Sequence, residues 1–512
     1  MESSILLKNG TILSHAGNNI DVIPLRNTDL LITGSKIAAI GPNITSPNLI
    51  STKTVDCTDK IISPGFIDTH HHLWQTQLKG RHANDTLLDY MYTGNMTSYA
   101  YKPEDVFWGQ LGGCLEAIDA GTTTVVDHAH VAISREHITA ALTATNTSAL
   151  RCIFCPSTTH LIKTWTRTTF APATGPPIPE WFTSQLQELM TSQPQGKNGT
   201  VQIGAGFDLF FLPREVVVRF FESVRGWGAK LVTAHAGRRG IFGHDHTNPI
   251  PILQSYNLLS PTTLLSHVNN PTPNELHSLQ TTHTPISSTP GTELTMALGN
   301  PIPFHPHLLS QTSLGSDCHS ALTPSPLTQM RLALSHARAL QTDTLLQQGK
   351  YPRRFDVGVV DAFNLATVGG ARAVGMEGEI GTLRVGFLAD LVIFDARSPA
   401  LVCAAEEDPV AAVVMHASVR DVVGVVVGGT VRKVGGSLTD CVVDGGGEGG
   451  EEAMGGVEGV VPAMGTVLSW NEIARELVLS RERVQERIDG LSMELGRKGV
   501  VEMMHVDEGD LV

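Results

Sequence analysis

From residue 61 onward, short apolar runs alternate with longer segments in which apolar residues recur every three or four positions, a change of period that predicts strands followed by helices. Eight runs fit the strand pattern: IISPGFIDT from residue 61, TTTVVDHAH from 122, LRCIFCP from 150, VQIGAGFDLF from 201, KLVTAHAG from 230, TTLLSHVNN from 262, TPISSTP from 284 and TSLGSDC from 312. Repeated βα units build a parallel sheet, and eight of them fit an α/β fold of the closed (β/α)8 TIM-barrel type. Between the fourth and fifth runs, PREVVVRFFESVRGWG carries Pro213 near its first turn and glycines at its end, the punctuation of a helix between two strands.

The flanks have a different rhythm. Residues 1–60 hold short apolar runs around turn residues, as in DLLITGSKIAAIGPNI. After a helix predicted in DAFNLATVGGARAVGM, the segments GTLRVGFLADLVIFDA and VVGVVVGGTVRKVGG return to strand alternation. The prediction is a composite β-sandwich of residues 1–60 and 380–438 flanking a barrel at 61–379. Residues 439–465 are rich in Gly and Glu and predict a flexible linker, because such a composition buries too little apolar area to offset ordering entropy. Residues 466–512 predict a helical extension, opened by a capping box of Ser469 and Glu472 and carrying Ile473, Leu477, Val484, Ile488 and Leu491 at helical spacing. The Pro-rich FAPATGPPIPEW reads as a loop over the barrel mouth.

Length and charge narrow the partners. At 512 residues the chain exceeds one small domain and suits a large barrel with an accessory unit. It has no uninterrupted apolar stretch of about 18 residues, and MESSILLKNGTILS lacks the basic and apolar regions of a secretory signal, so a soluble, cytoplasmic protein is expected. A net charge of -14 speaks against nucleic acid and anionic membranes as partners, leaving a small molecule as the expected ligand. Seven scattered cysteines predict reduced thiols, with the lone Cys152–Cys155 pair buried rather than redox-active.

The chemistry begins at PGFIDTHHHLW. On an extended strand, residues two apart point the same way, so His70 and His72 can grip one ion while His71 faces away. His235, His267 and Asp317 also close strand runs, and in a barrel of this type active-site groups project from the C-terminal strand ends. His70, His72, His235 and Asp317 together supply the imidazoles and carboxylate that a catalytic zinc requires. His128 with His130, and His244 with His246, lack further ligands at matching strand ends and are not expected to form the site.

These motifs, together with LATVGGARAVGMEGEIGTLRVGFLADLVIFD, resemble the metal-dependent amidohydrolase superfamily in its cytosine-deaminase-like and chlorotriazine-hydrolase-like branch, over most of residues 28–395. The resemblance implies that His70, His72, His235 and Asp317 hold one divalent ion, zinc first and iron as the alternative; VQIGAGFDLF has no lysine for a second. It further implies metal-activated water attacking a non-peptide carbon–nitrogen bond of a small cyclic or heteroaromatic substrate, with Asp317 accepting the water's proton and His267 beside the substrate. Dimers or larger homo-oligomers are also implied.

One departure stands out. Deaminases of this branch resemble one another in His-x-x-Glu after the fifth strand, but here the text is His235-Ala236-Gly237-Arg238. A guanidinium cannot act as a base yet forks well onto a carboxylate, so Arg238 is assigned to substrate binding. Glu293, Gln75, Trp74 and His130 are further substrate-binding candidates, with Gln77 at the same mouth and Asp208 a weaker candidate. Two alternatives follow: a metal-dependent decarboxylase or other lyase acting on a carboxylated small molecule, and a non-catalytic assembly protein that keeps the barrel.

Overall fold

The computed structural model describes residues 4–45, 52–157, 162–196, 199–237, 248–446, 457 and 459–511. All eight runs contain parallel strands: β1 (Phe66–His71), β2 (Thr122–Ala129), β3 (Arg151–Pro156), β4 (Val201–Ile203), β5 (Ala205–Gly206), β6 (Val232–His235), β7 (Thr263–Ser266), β8 (Ile286–Ser288) and β9 (Thr312–Leu314). They form two parallel sheets, in the orders β4-β3-β2-β1 and β5-β6-β7-β8-β9. Single parallel bridges link the two sheets, Ser157, just past β3, to Gly206 of β5, and His71 of β1 to Asp317, just past β9. The architecture is therefore a TIM-barrel-type α/β fold, with two ladders where the sequence predicts one closed ring. The fourth run supplies both break-point strands, β4 and β5.

The first run divides too. Its opening half, Lys60–Pro64, pairs antiparallel with Leu391–Asp395, and the chain then passes through Gly65 into β1. A Cβ on Gly65 would lie 2.0 Å from Thr123 Oγ1, so only glycine lets the backbone change sheets there. The period of the apolar residues carries no mark of this switch, because both halves are buried.

Both flanks enter one nine-stranded sheet. Ser4–His15, Val22–Thr33, Lys36–Gly41, Thr52–Asp56 and Lys60–Pro64 come from the N-terminal side; Leu391–Asp395, Val422–Val427, Thr430–Val434 and Ser437–Leu438 come from beyond the barrel. Its core includes Leu30, Ile32, Ile37, Ile62 and Leu391. Two features fasten it to the barrel. Phe66 of β1 packs at 6.3 Å from both Phe363 and Phe394, and buried Arg151 of β3 makes a two-pronged ion pair with buried Asp390 at 2.8 and 3.1 Å. The barrel floor is thus fixed, leaving the opposite strand ends to carry side chains with chemistry.

The C-terminal segment is packed against the body. In the segment expected as a linker, Cys441–Val442 pairs with Val467–Leu468, and Cys441, Val443, Val457 and Val461 are buried. Scattered valines supply the apolar anchors that bulk composition conceals; residues 447–456 and 458 lie outside the described set. The predicted capping box forms: Ser469 Oγ accepts from Glu472 N, and Ser469 N donates to Glu472 at 2.8 Å. Helix Trp470–Asp489 then buries Ile473, Leu477, Val484 and Ile488. Its polar contacts centre on buried Asp105, which pairs with Arg487 and accepts from Ser480 Oγ at 2.8 Å, while Gln77 bonds Ser480 at 3.0 Å. Arg487→Ala leaves that carboxylate only the more distant Arg483, at 3.8 Å, and is expected to destabilise the protein by about 2 kcal/mol, read from urea unfolding.

The segment predicted as a mouth loop is partly ordered otherwise: Phe170–Pro172 pairs with Ile162–Trp165, and Trp165 and Phe170 pack beneath helix Met493–Met503. Cys152 and Cys155 are buried free thiols, as expected. No helix among the described residues is long and apolar enough to cross a membrane.

Candidate metal centre

The strand ends converge. His70 and His72 lie on one side of the chain at the end of β1, with ring centroids 4.9 Å apart. His71 points elsewhere, its Nδ1 3.0 Å from Asp68 Oδ2 and its Nε2 2.9 Å from His319 Nδ1. His235 closes β6, and Asp317 follows β9. One ligand atom from each of His70, His72, His235 and Asp317 lies within 4.8 Å of the others.

The spacing suits an ion. Asp317 Oδ1 is 3.4 Å from His70 Nε2 and 3.0 Å from His72 Nε2, while His72 Nε2 is 3.4 Å from His235 Nε2. Donors arranged tetrahedrally about 2.1 Å from a zinc ion would be about 3.4 Å apart. His72 Nδ1 donates to the His128 carbonyl at 2.7 Å, which leaves the Nε2 lone pair facing Asp317. His70 is fully buried, yet neither ring nitrogen has a hydrogen-bond partner. Buried polar atoms are rarely left so, and a divalent ion among the four residues would satisfy Nε2.

The electrostatics favour the same donor set. Burial alone would raise the Asp317 carboxyl, but the His70 and His72 imidazoles facing its Oδ1 at 3.4 and 3.0 Å hold it well below the usual carboxylate range. Burial pushes His70 well below its ordinary value, keeping it a neutral ligand. Burial would also lower His235, but the Asp208 carboxylate and then Asp317 raise it above its ordinary value.

His267, one residue beyond β7, flanks this set without joining it. Its Nε2 is 3.8 Å from Asp317 Oδ2, and its Nδ1 is 2.9 Å from Thr289 Oγ1 and 3.6 Å from Glu293 Oε1. Glu293 is buried, accepting from Thr289 N at 2.8 Å and Ser288 Oγ at 2.9 Å. The carboxylate stands behind His267, 3.6 Å from its Nδ1, on the short helix Pro290–Thr295. Backbone strain marks the same places. His267 and Asp317 have φ of 75° and 60°, a left-handed region costly for side chains other than glycine. Beside them a Cβ on Gly315 would sit 2.8 Å from the His70 carbonyl oxygen.

The remaining candidates separate. His130 packs against His72 with centroids 4.0 Å apart and the rings tilted by 48°, and it is buried. Trp74 is fully buried, edge-on to Tyr101 at 5.0 Å and to His130 at 5.5 Å; it therefore packs under the site instead of lining an open mouth, because the turn Leu73–Leu78 folds inward. Gln75 is buried and hydrogen-bonded to the Tyr90 hydroxyl, and Gln77 serves the C-terminal helix described above. Arg238 lies outside the described residues, as do His244 and His246.

Three carboxylates gain importance from the structure. Asp68 accepts from the backbone of His70 and Ser316 at 3.2 and 3.0 Å, Asp127 accepts from Leu73 N at 3.2 Å, and Asp208 contacts His235. Asp68 and Asp127 sit inside strand runs, where an acid is rare; that was the signal available in sequence.

An amidohydrolase-family model matches residues 61–174 and 304–432. Over 452 residues, 83% of this chain and 93% of the relative, the chain is 24% identical to a 5-methylthioadenosine/S-adenosylhomocysteine deaminase of Symbiobacterium thermophilum. It is also 24% identical over 409 residues to a 5'-deoxyadenosine deaminase of Methanobrevibacter smithii, covering 78% of this chain and 86% of that one. Among solved structures, a triazine hydrolase from Arthrobacter aurescens is similar at a TM-score of 0.74 and 19% identity, covering 94% of this chain and all (100%) of the other. An adenosine deaminase from Xanthomonas campestris with bound zinc reaches 0.71 and 18%, covering 94% and 99%. At these identities the structural likeness speaks for the fold.

Proposed function

Because the chain carries an amidohydrolase-family domain, we propose that it is a metal-dependent hydrolase acting on a non-peptide carbon–nitrogen bond of a small heteroaromatic substrate. The convergence of His70, His72, His235 and Asp317 carries this reading. The deaminase relatives make aminated purine nucleosides the first substrates to try. One ion is proposed, zinc before iron. We read the two parallel sheets as arcs of one closed (β/α)8 barrel, supported by their edge bridges, and the flank sheet as a small β-sandwich. Seven free cysteines, six of them buried, support a reducing cytoplasmic setting. The homo-oligomer is a proposal to be checked by sedimentation.

A divalent ion at the four ligands would supply an acidified water at neutral pH. Asp317 is held ionised and can accept that water's proton, then return it to the leaving group. His267, steadied at Nδ1 by Thr289, presents Nε2 3.8 Å from Asp317, where it can bond the attacked ring or the charge developing on it. The close packing of Trp74, His130 and His72 limits water on one side.

Chelation with a strong zinc ligand is expected to abolish turnover, and one equivalent of zinc or ferrous iron to restore it; metal analysis and rescue assays check this. Turnover in oxygen-18 water tests the reaction itself, since hydrolysis must place the heavy oxygen in a product. Arg238 favours a second reading, a lyase acting on a carboxylated substrate, for which the product would carry no label. A chain that retains no metal would sink both and leave an assembly protein.

A further inference from the structure

Resting on that reading of the metal centre, we infer that Asp208 is a positioning residue, which fixes the tautomer and direction of His235 so that its Nε2 faces the ion. Asp208 stands two residues beyond β5, on the strand neighbouring β6. Its carboxylate grips His235 twice: Oδ1 accepts from the His235 backbone N–H at 2.8 Å, and Oδ2 lies 3.0 Å from the ring Nδ1. A carboxylate can only accept, so Nδ1 must carry a proton, which leaves Nε2 as the ring nitrogen able to take an ion. That Nε2 is the atom 3.4 Å from His72 Nε2.

A third residue bears on the same oxygen. His128 Nε2 is 3.0 Å from Asp208 Oδ2, and the ring is fully buried. His128, Asp208 and His235 have ligand atoms close enough to hold an ion of their own. That occupancy would take His235 Nδ1 and force one imidazole to bridge two cations as an imidazolate. It would also discard the proton that the short Nδ1 contact uses. The backbone bond to Oδ1 fixes Asp208 as an acceptor from His235 in any case, so the geometry favours a carboxylate orienting a ligand. Asp208 has about a third of its side chain exposed, with 33% relative accessibility, so an amide replacement does not bury a new unpaired group.

The test compares zinc binding by chelator competition in wild type, Asp208→Asn and Asp208→Ala, with the absorption spectrum of the cobalt-substituted protein and the melting temperature of the metal-free form. Asp208→Asn is expected to bind zinc about 10- to 100-fold more weakly, with an altered cobalt spectrum and an unchanged metal-free melting temperature, and Asp208→Ala to be weaker still. Equal zinc affinity and an identical cobalt spectrum in both variants would overturn the inference, as would a fall in melting temperature that accounts for the lost affinity. Two equivalents of zinc in wild type, the second lost in Asp208→Asn, would also overturn it by making Asp208 a ligand. If wild type itself binds no zinc, the metal centre fails instead, and the two failures are distinguishable.

Discussion

Asp317→Ala is expected to lower turnover at least about 1,000-fold and to leave the purified protein nearly free of metal. Two losses coincide at this residue. It supplies the one carboxylate among the four convergent ligands, and its Oδ1 lies 3.4 Å from His70 Nε2 and 3.0 Å from His72 Nε2. Removing it takes a negative charge from a buried site that concentrates three imidazoles, which weakens ion binding. It also removes the acceptor for the water's proton, a role worth about 100- to 10,000-fold alone. His235→Ala serves as the companion, because it removes a ligand and spares the carboxylate; it should empty the site too. His130→Ala, which removes only a ring packed against His72, should keep near-normal metal content. Elemental analysis beside kcat, measured on the best substrate from a nucleoside and heterocycle screen, decides the matter. A metal content near wild type in Asp317→Ala and His235→Ala would remove the basis of the assignment.

The second large effect is the opposite combination. His267→Ala is expected to retain its ion while losing about 100- to 1,000-fold in kcat, the usual cost of deleting one preorganised donor at a developing charge. The reason is positional. His267 is outside the four-residue ligand group but within 3.8 Å of Asp317 Oδ2, and Thr289 and Glu293 hold its far nitrogen. Its backbone φ of 75° shows that the chain spends conformational energy to keep the ring there. Metal content and kcat measured on one preparation separate the roles: joint loss would make His267 a ligand, and no loss of kcat would make it a packing residue.

The sequence alone determined the order of the eight strand runs, the return of strand patterning in the second flank, the capping box at Ser469 and the four residues that meet. These are local signals: period, punctuation, and titratable groups at the ends of apolar runs report on backbone direction within a few residues. The Cys441–Leu468 ladder inside a Gly-rich stretch escaped that logic, since a few buried valines outweigh the average composition around them. The surroundings of Trp74 and Gln77 were hidden for a related reason. Their neighbourhood in sequence is a mouth loop, while their neighbourhood in space is a core and the helix Trp470–Asp489.

Only the tertiary structure decided which acids serve the ligands. Asp68, Asp127 and Asp208 stand out within strand runs, but their partners are decided only when the fold brings them to Ser316, Leu73 and His235. The division of one run at Gly65 between two sheets was equally undecidable in one dimension, because it depends on how closely Thr123 approaches. Chain period records which way a side chain points, whereas a hydrogen bond across hundreds of residues depends on where another segment comes to rest.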